Sequence, residues 1–192
     1  MGVDIISMSF TIAQPGNLAD AIGKATREGI VMTCSTHDEG SKTEAAWPAS
    51  LKGPGKSLIV LAACDKDGRT LRNIEDHAYD FLLPGQKVSA GNIPFLKSDE
   101  TISGSSVATA LAAGVCSLTL TCDRLANAGR TYKSGMDKGS RYDLVTEQLR
   151  KMRSEVGSKP IVLNKFGGIN AVSGGATGNP RPYDIIRSFC HG

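Results

Sequence analysis

The sequence predicts an α/β fold with a mainly parallel sheet flanked by helices, and three observations predict it. Ile30-Val31-Met32-Thr33-Cys34 and Ser57-Leu58-Ile59-Val60-Leu61-Ala62-Ala63-Cys64 are short apolar runs bounded by turn residues, the pattern of strands buried on both faces. Between the first of these and the apolar run at Val3–Phe10 lies a stretch of helical periodicity. A strand, a helix and a strand in that order make a βαβ unit, which joins parallel strands by a crossover. From Val107 to Cys122 the chain carries no charge and is rich in alanine, which suits a helix apolar on every side and therefore buried.

Taken in order, Val3-Asp4-Ile5-Ile6-Ser7-Met8-Ser9-Phe10 reads as a mostly buried strand. Pro15-Gly16-Asn17 turns the chain, with Asn17 placed to cap a helix whose apolar face is Leu18, Ala21, Ile22 and Ala25; Gly29 ends it. After the strand at 30–35, Trp47-Pro48-Ala49 reads as a turn with a packing tryptophan, and Pro54-Gly55-Lys56 leads into the strand at 57–64. Asp65-Lys66-Asp67-Gly68-Arg69 is a polar turn whose acidic spacing falls short of a calcium loop. Asp76-His77 reads as a solvated loop. Phe81-Leu82-Leu83-Pro84-Gly85 leads to a last short strand near 87–90. Gly104 between serines forms a tight turn that feeds the long helix. Residues 123–142, with five basic side chains against Asp123 and Asp137, read as a solvated loop insertion. Asp143 then caps a helix whose face is Val145, Leu149, Met152 and Val156, with Gly157 as its stop, and residues 173–192 read as a flexible tail.

Composition narrows the function classes. A net charge of +3 and a pI near 8.6 are too mild to argue for nucleic acid or an anionic membrane. No apolar run is expected to span a membrane, and the first residues carry no signal-peptide pattern. Cys34, Cys64 and Cys116 lie in apolar runs as buried free thiols, which favours a reducing compartment such as the cytoplasm. No Cys/His spacing reads as a metal site, and no Gly-x-Gly-x-x-Gly follows a strand, so neither a metal nor a dinucleotide cofactor is expected.

The stretch Ser103-Gly104-Ser105-Ser106-Val107-Ala108-Thr109-Ala110-Leu111-Ala112-Ala113-Gly114 has two readings. Its serines either cap a core helix or place a nucleophile where the helix end stabilises negative charge. Its order resembles the nucleophile motif of subtilisin-like serine proteases (subtilases), Gly-Thr-Ser-Met-Ala-Ser-Pro-His-Val-Ala-Gly, although Ala110 and Leu111 replace the Pro-His pair. Asp4 to Phe10, the helix after it and the strand at 30–34 are similar to the family's Asp-Val-Ile-Asn-Met-Ser-Leu, helix and Val-Val-Val-Ala-Ala-Ala-Gly-Asn-Glu-Gly. Trp47-Pro48-Ala49 resembles its Tyr-Pro-Ala, Leu82-Leu83-Pro84-Gly85 its Met-Ala-Pro-Gly, and Asn164–Asn170 its closing Gly-Lys-Gly-Leu-Ile-Asn.

The resemblance implies a serine endopeptidase that cleaves peptides or proteins, with Ser106 as nucleophile. It places Ser9, Phe10 and Thr11 on one wall of the substrate cleft and Ser35, Thr36 and His37 on the other. Asp38 falls where the family has the asparagine that donates to the oxyanion, and a carboxylate cannot donate. His37 stands at a glycine of the family; base duty for Ser106 and an ordinary loop histidine are both open to it. The match spans residues 1–172 but corresponds only to the later part of the catalytic domain. The family's Asp-Thr/Ser-Gly and His-Gly-Thr motifs do not occur in this sequence. The implied domain is thus N-terminally truncated. As an isolated chain it is expected to be inactive, to need its missing segment restored or supplied in trans, or else to self-associate. The alternative is a subtilase-derived module that binds peptides or partners without catalysis.

Overall fold

β2 (Val31–Ser35) and β3 (Leu58–Cys64) are buried at every residue and form the middle of a four-stranded parallel sheet. β1 (Ile5–Met8) pairs with β2, and β4 (Phe81–Pro84) pairs with β3, giving the order β1-β2-β3-β4. The structure is a computed structural model that describes residues 2–13, 16–38, 47–71, 74–89, 101–154 and 160–162. The period-2 alternation of the strands divides the core in two. Ile59, Leu61 and Ala63 of β3 face one apolar cluster, and Leu58, Val60, Ala62 and Cys64 face another. The first cluster is closed by α2 (Ser105–Ala126) and α3 (Arg141–Lys151), the second by α1 (Leu18–Arg27). The result is helix, sheet and helix in three layers.

α1 ends as the glycine at position 29 implies. Gly29 takes φ +68°, its N–H donates to the Thr26 carbonyl, and the Ile30 N–H reaches back to the Ala25 carbonyl. That pair of bonds is the Schellman arrangement, which satisfies carbonyls left over at the helix end and aims the chain into β2. At the other end Asn17 occupies the cap position, but its side chain makes no capping bond. Thr26 ties α1 to β3: its hydroxyl donates to the Ile22 carbonyl at 2.9 Å and accepts the Ser57 N–H at 3.1 Å.

Several elements depart from the sequence reading. The fourth strand of the sheet is 81–84, whose Phe81, Leu82 and Leu83 are all buried. Val88–Ser89 (β5) instead pairs antiparallel with Thr101–Ile102 (β6) in a separate ribbon, because its residues lack the apolar run a sheet interior needs. α2 continues through Asp123 to Ala126, so the solvated insertion does not begin at 123. Asp123 is 2% exposed and accepts hydrogen bonds from Arg130, Asn127 and the Tyr132 hydroxyl. Arg124 and Arg141 meet Asp4 at 2.7 and 3.0 Å, and both guanidinium groups also lie over the Tyr132 ring. Arg124 and Arg141 therefore tie α2 and α3 to the segment leading into β1, while Lys133 and Lys138 stay exposed in the loop between the helices. α3 is capped by Ser140, whose hydroxyl accepts the Asp143 N–H, while Asp143 accepts the Gly139 N–H; its last residue is Lys151, short of Val156. By length and apolar composition α2 could cross a membrane, contrary to the expectation that no run would. Its packing against all four sheet strands and α3 accounts for one side of it, but the helix is not buried on every side as its composition implied: Leu118 and Leu125 are 46% and 54% exposed. Glu39, Gly40, residues 90–100, Val156, Gly157, the 164–170 motif and the 173–192 tail lie outside the described residues.

Two expectations arise from the fold. Among the described residues no strand pairs with the outer edge of β1, and Val3 and Phe10 beside it are 52% and 48% exposed. Open strand edges template association. The 192-residue chain is expected to self-associate at tens of micromolar, a concentration scale of about that order being usual for exposed-edge species; a monomeric sedimentation boundary with a cooperative melt would contradict this.

The buried thiols set a pH limit. Burial pushes Cys34 and Cys116 up to about 12 and Cys64 up to about 11, from an ordinary 9.0. Above pH 9 the unfolded chain releases protons that the folded chain keeps. The stability these thiols contribute is complete below that pH and is lost as pH rises through 11 to 12. Each contributes a slope of about 1.4 kcal/mol per pH unit in between. Urea midpoints should therefore fall steeply between about pH 9 and 11; a flat profile would show the thiols are not buried.

Candidate active site

Parallel strands deliver their C-terminal ends to one edge of the sheet, and such edges are where open α/β folds bind ligands. β1 runs into Ser9-Phe10-Thr11 there, β2 into Thr36-His37-Asp38, and β4 through Gly85 toward the head of α2. Ser9, Phe10, Thr11, Ser35, Thr36, His37, Asp38 and Ser106 line a single open cleft of about 210 Å³ at this edge. These are the eight residues singled out in the sequence. Trp47 stands close by, exchanging backbone hydrogen bonds with Ile12, and the Ser35 hydroxyl donates to the Phe10 carbonyl at 3.5 Å.

The head of α2 is fixed by Ser105, which is fully buried. Its Oγ accepts from the Thr36 hydroxyl at 3.0 Å and from the Ala63 N–H at 3.2 Å, joining α2 to the ends of β2 and β3. Its N–H donates to both carboxylate oxygens of Asp38, at 3.1 and 2.9 Å. Gly104 occupies the cap position with no side chain to offer, so Asp38 reaches across from the β2 loop and caps the helix. A carboxylate there also meets the positive end of a 22-residue helix dipole.

Gly104 is required by this arrangement. Its φ of +142° is one that side chains rarely adopt, and a Cβ would stand 2.9 Å from Asp38 Oδ2 and 3.4 Å from Ser106 Oγ. Measured from that common point, the two oxygens lie no more than 2.9 + 3.4 = 6.3 Å apart. Ser106 is the second residue of α2, where the helix offers no internal partner for an N–H. Among the described residues neither its N–H nor its Oγ has a hydrogen-bond partner. The site can thus present a hydroxyl and one backbone donor to a bound carbonyl, next to a carboxylate that only accepts.

His37 lines the cleft, whereas His77 does not: its ring is 82% exposed and sits 3.3 Å from Glu75. His191 lies outside the described residues. Among those residues no three His, Cys, Asp or Glu side chains gather as metal ligands. Two supports were not recognised in the sequence. The Thr36–Ser105 bond joins residues 69 positions apart, which no local pattern marks. Gly85 accepts the Gly104 N–H at its carbonyl (2.8 Å) and lies so close to β3 that a Cβ would fall 2.5 Å from Ala63 Cβ. The Leu82-Leu83-Pro84-Gly85 resemblance gave no sign of that approach.

Comparison with known proteins adds three findings. The model of the subtilase family matches residues 1–132. A cold-adapted subtilisin-like serine proteinase superposes with a TM-score of 0.55 at 21% identity, covering 79% of this chain and 49% of its own. Fervidolysin from Fervidobacterium pennivorans, a keratinolytic enzyme related to subtilisin, gives 0.59 at 18% identity, covering 85% of this chain and 26% of its own. At such identities the superpositions show a shared fold, and this chain spans half or less of either structure. No curated protein matches the sequence.

Proposed function

Because the chain belongs to the subtilase family, we propose that it is the nucleophile-bearing part of a serine endopeptidase acting on peptides or proteins. The observation that carries this reading is Ser106 itself, which lines the cleft at the head of α2 and whose Oγ and N–H have no hydrogen-bond partner among the described residues. Ser106 Oγ attacks the scissile carbonyl, and the Ser106 N–H donates to the oxygen on which charge develops. A base must take the hydroxyl proton. In this reading an imidazole from a segment bearing the family's aspartate and histidine motifs does so, and the 192 residues alone do not turn over substrate.

A second reading, a peptide-binding module without catalysis, is favoured by one observation. Asp38, which the family resemblance aligns with the oxyanion-donating asparagine, lines the cleft as a carboxylate held by the Ser105 N–H, and a carboxylate cannot donate to an oxyanion. The discriminating experiment is casein hydrolysis by the chain alone and with a polypeptide carrying the two missing motifs, in cis or in trans. The proposal expects no turnover alone, and turnover with the added segment that is lost in Ser106→Ala. Turnover by the chain alone that is lost in His37→Ala would move base duty to His37. No turnover in either setting, with peptide binding retained, would favour the second reading.

A further inference from the structure

Resting on the reading of this cleft as a peptide site, we infer that it selects a peptide with a cationic side chain, arginine above all, and that Asp38 and Phe10 recognise it. Among the described residues Asp38 brings the only carboxylate to the lining, and none of those lining residues is a lysine or arginine. Both its oxygens are engaged by one N–H, that of Ser105, although a carboxylate offers about four acceptor sites. No described cation forms an ion pair with it.

The helix end does not cancel this charge. A helix N-terminus presents about half a unit of positive charge against the full unit of a carboxylate, so the cleft retains a net negative focus. Phe10 lines the same cleft and is 48% exposed, and the Ser35 hydroxyl holds its backbone. A guanidinium is the group that suits both features: it can bond a carboxylate side-on through two N–H groups and lay its plane on an aromatic face. A lysine ammonium can use the carboxylate but matches the pair less well. A cleft of about 210 Å³ is of side-chain size. The same charge that opposes an oxyanion thus gives the site a ligand preference.

The test compares two acetylated tetrapeptide amides that end in arginine or in citrulline, its neutral isostere, binding to the 192-residue chain at pH 8 and low salt. The arginine peptide should bind about tenfold more tightly, the worth of one partly solvated charge-assisted hydrogen bond. Its advantage should shrink in about 1 M salt, where charges are screened within a few ångströms. It should vanish in Asp38→Asn, which keeps a helix-capping side chain. A matching thermal melt of Asp38→Asn establishes that the variant is folded. Equal affinity for the two peptides, or a preference that survives Asp38→Asn, overturns the inference and leaves the peptide cleft intact. Binding of neither peptide overturns the cleft reading and this inference with it.

Discussion

Asp38→Asn, in a catalytic domain completed with the family's aspartate and histidine segment, is expected to raise kcat about 10²–10³-fold, the range one oxyanion donor is worth. The Ser105 N–H reaches both Asp38 oxygens, so an asparagine keeps one of the two contacts through its carbonyl oxygen and must rotate its amide N–H groups away from that donor, toward the cleft. Asparagine caps helices about as well as aspartate, so α2 should keep its register. The gain should appear in kcat more than in KM, because the new donor acts on charge that develops only in the transition state. Unchanged kcat in a folded variant would mean that position 38 does not face the oxyanion.

Gly85→Ala is expected to destabilise the chain by about 3 kcal/mol, the upper range of overpacking costs, and to move the urea midpoint down by roughly 1 M. The added Cβ would sit 2.5 Å from Ala63 Cβ, 2.8 Å from the Gly104 carbonyl oxygen and 3.3 Å from Ala63 Cα. None of these is the far end of a flexible side chain, so β3, the turn at 85 and the head of α2 must separate. That displacement would also lengthen the bonds that place Ser105, and with it Ser106. Gly114→Ala provides the control. It lies within α2 with nothing within 4 Å of a Cβ, so it should stabilise by about 0.5–1 kcal/mol through helix propensity. Similar effects at both positions would contradict the close packing at 85.

The parts of this fold that were legible in the sequence are those with local causes. β2 and β3 announced themselves as apolar runs because both faces of the inner strands are covered, and α1 announced its end because a left-handed residue at 29 is satisfied by glycine. The cleft residues were legible only through the order of residues around Ser106 and the family it resembles; composition alone left Ser106 a capping serine. What escaped was set by tertiary context. The strand at 81–84 is a short apolar run of a kind that periodicity does not distinguish from a buried helical segment, and β3 recruits it through backbone pairing. The charged stretch from Asp123 onward looked solvated because a buried Asp123 ringed by Arg130, Asn127 and Tyr132 has the composition of a loop. Asp38 was placed in the site, but its role as the cap of α2 depends on a contact across 67 residues.

The most direct test of the account is the site of covalent labelling by a fluorophosphonate, which reports an activated serine without requiring a good substrate. The completed domain should carry one adduct, mapped by peptide mass spectrometry to Ser106 and absent in Ser106→Ala. The neighbouring Ser105, buried with its hydroxyl held by Thr36 and Ala63, should stay unmodified. An adduct on any other serine, or none in a completed and folded domain, would contradict the assignment of Ser106 as the nucleophile.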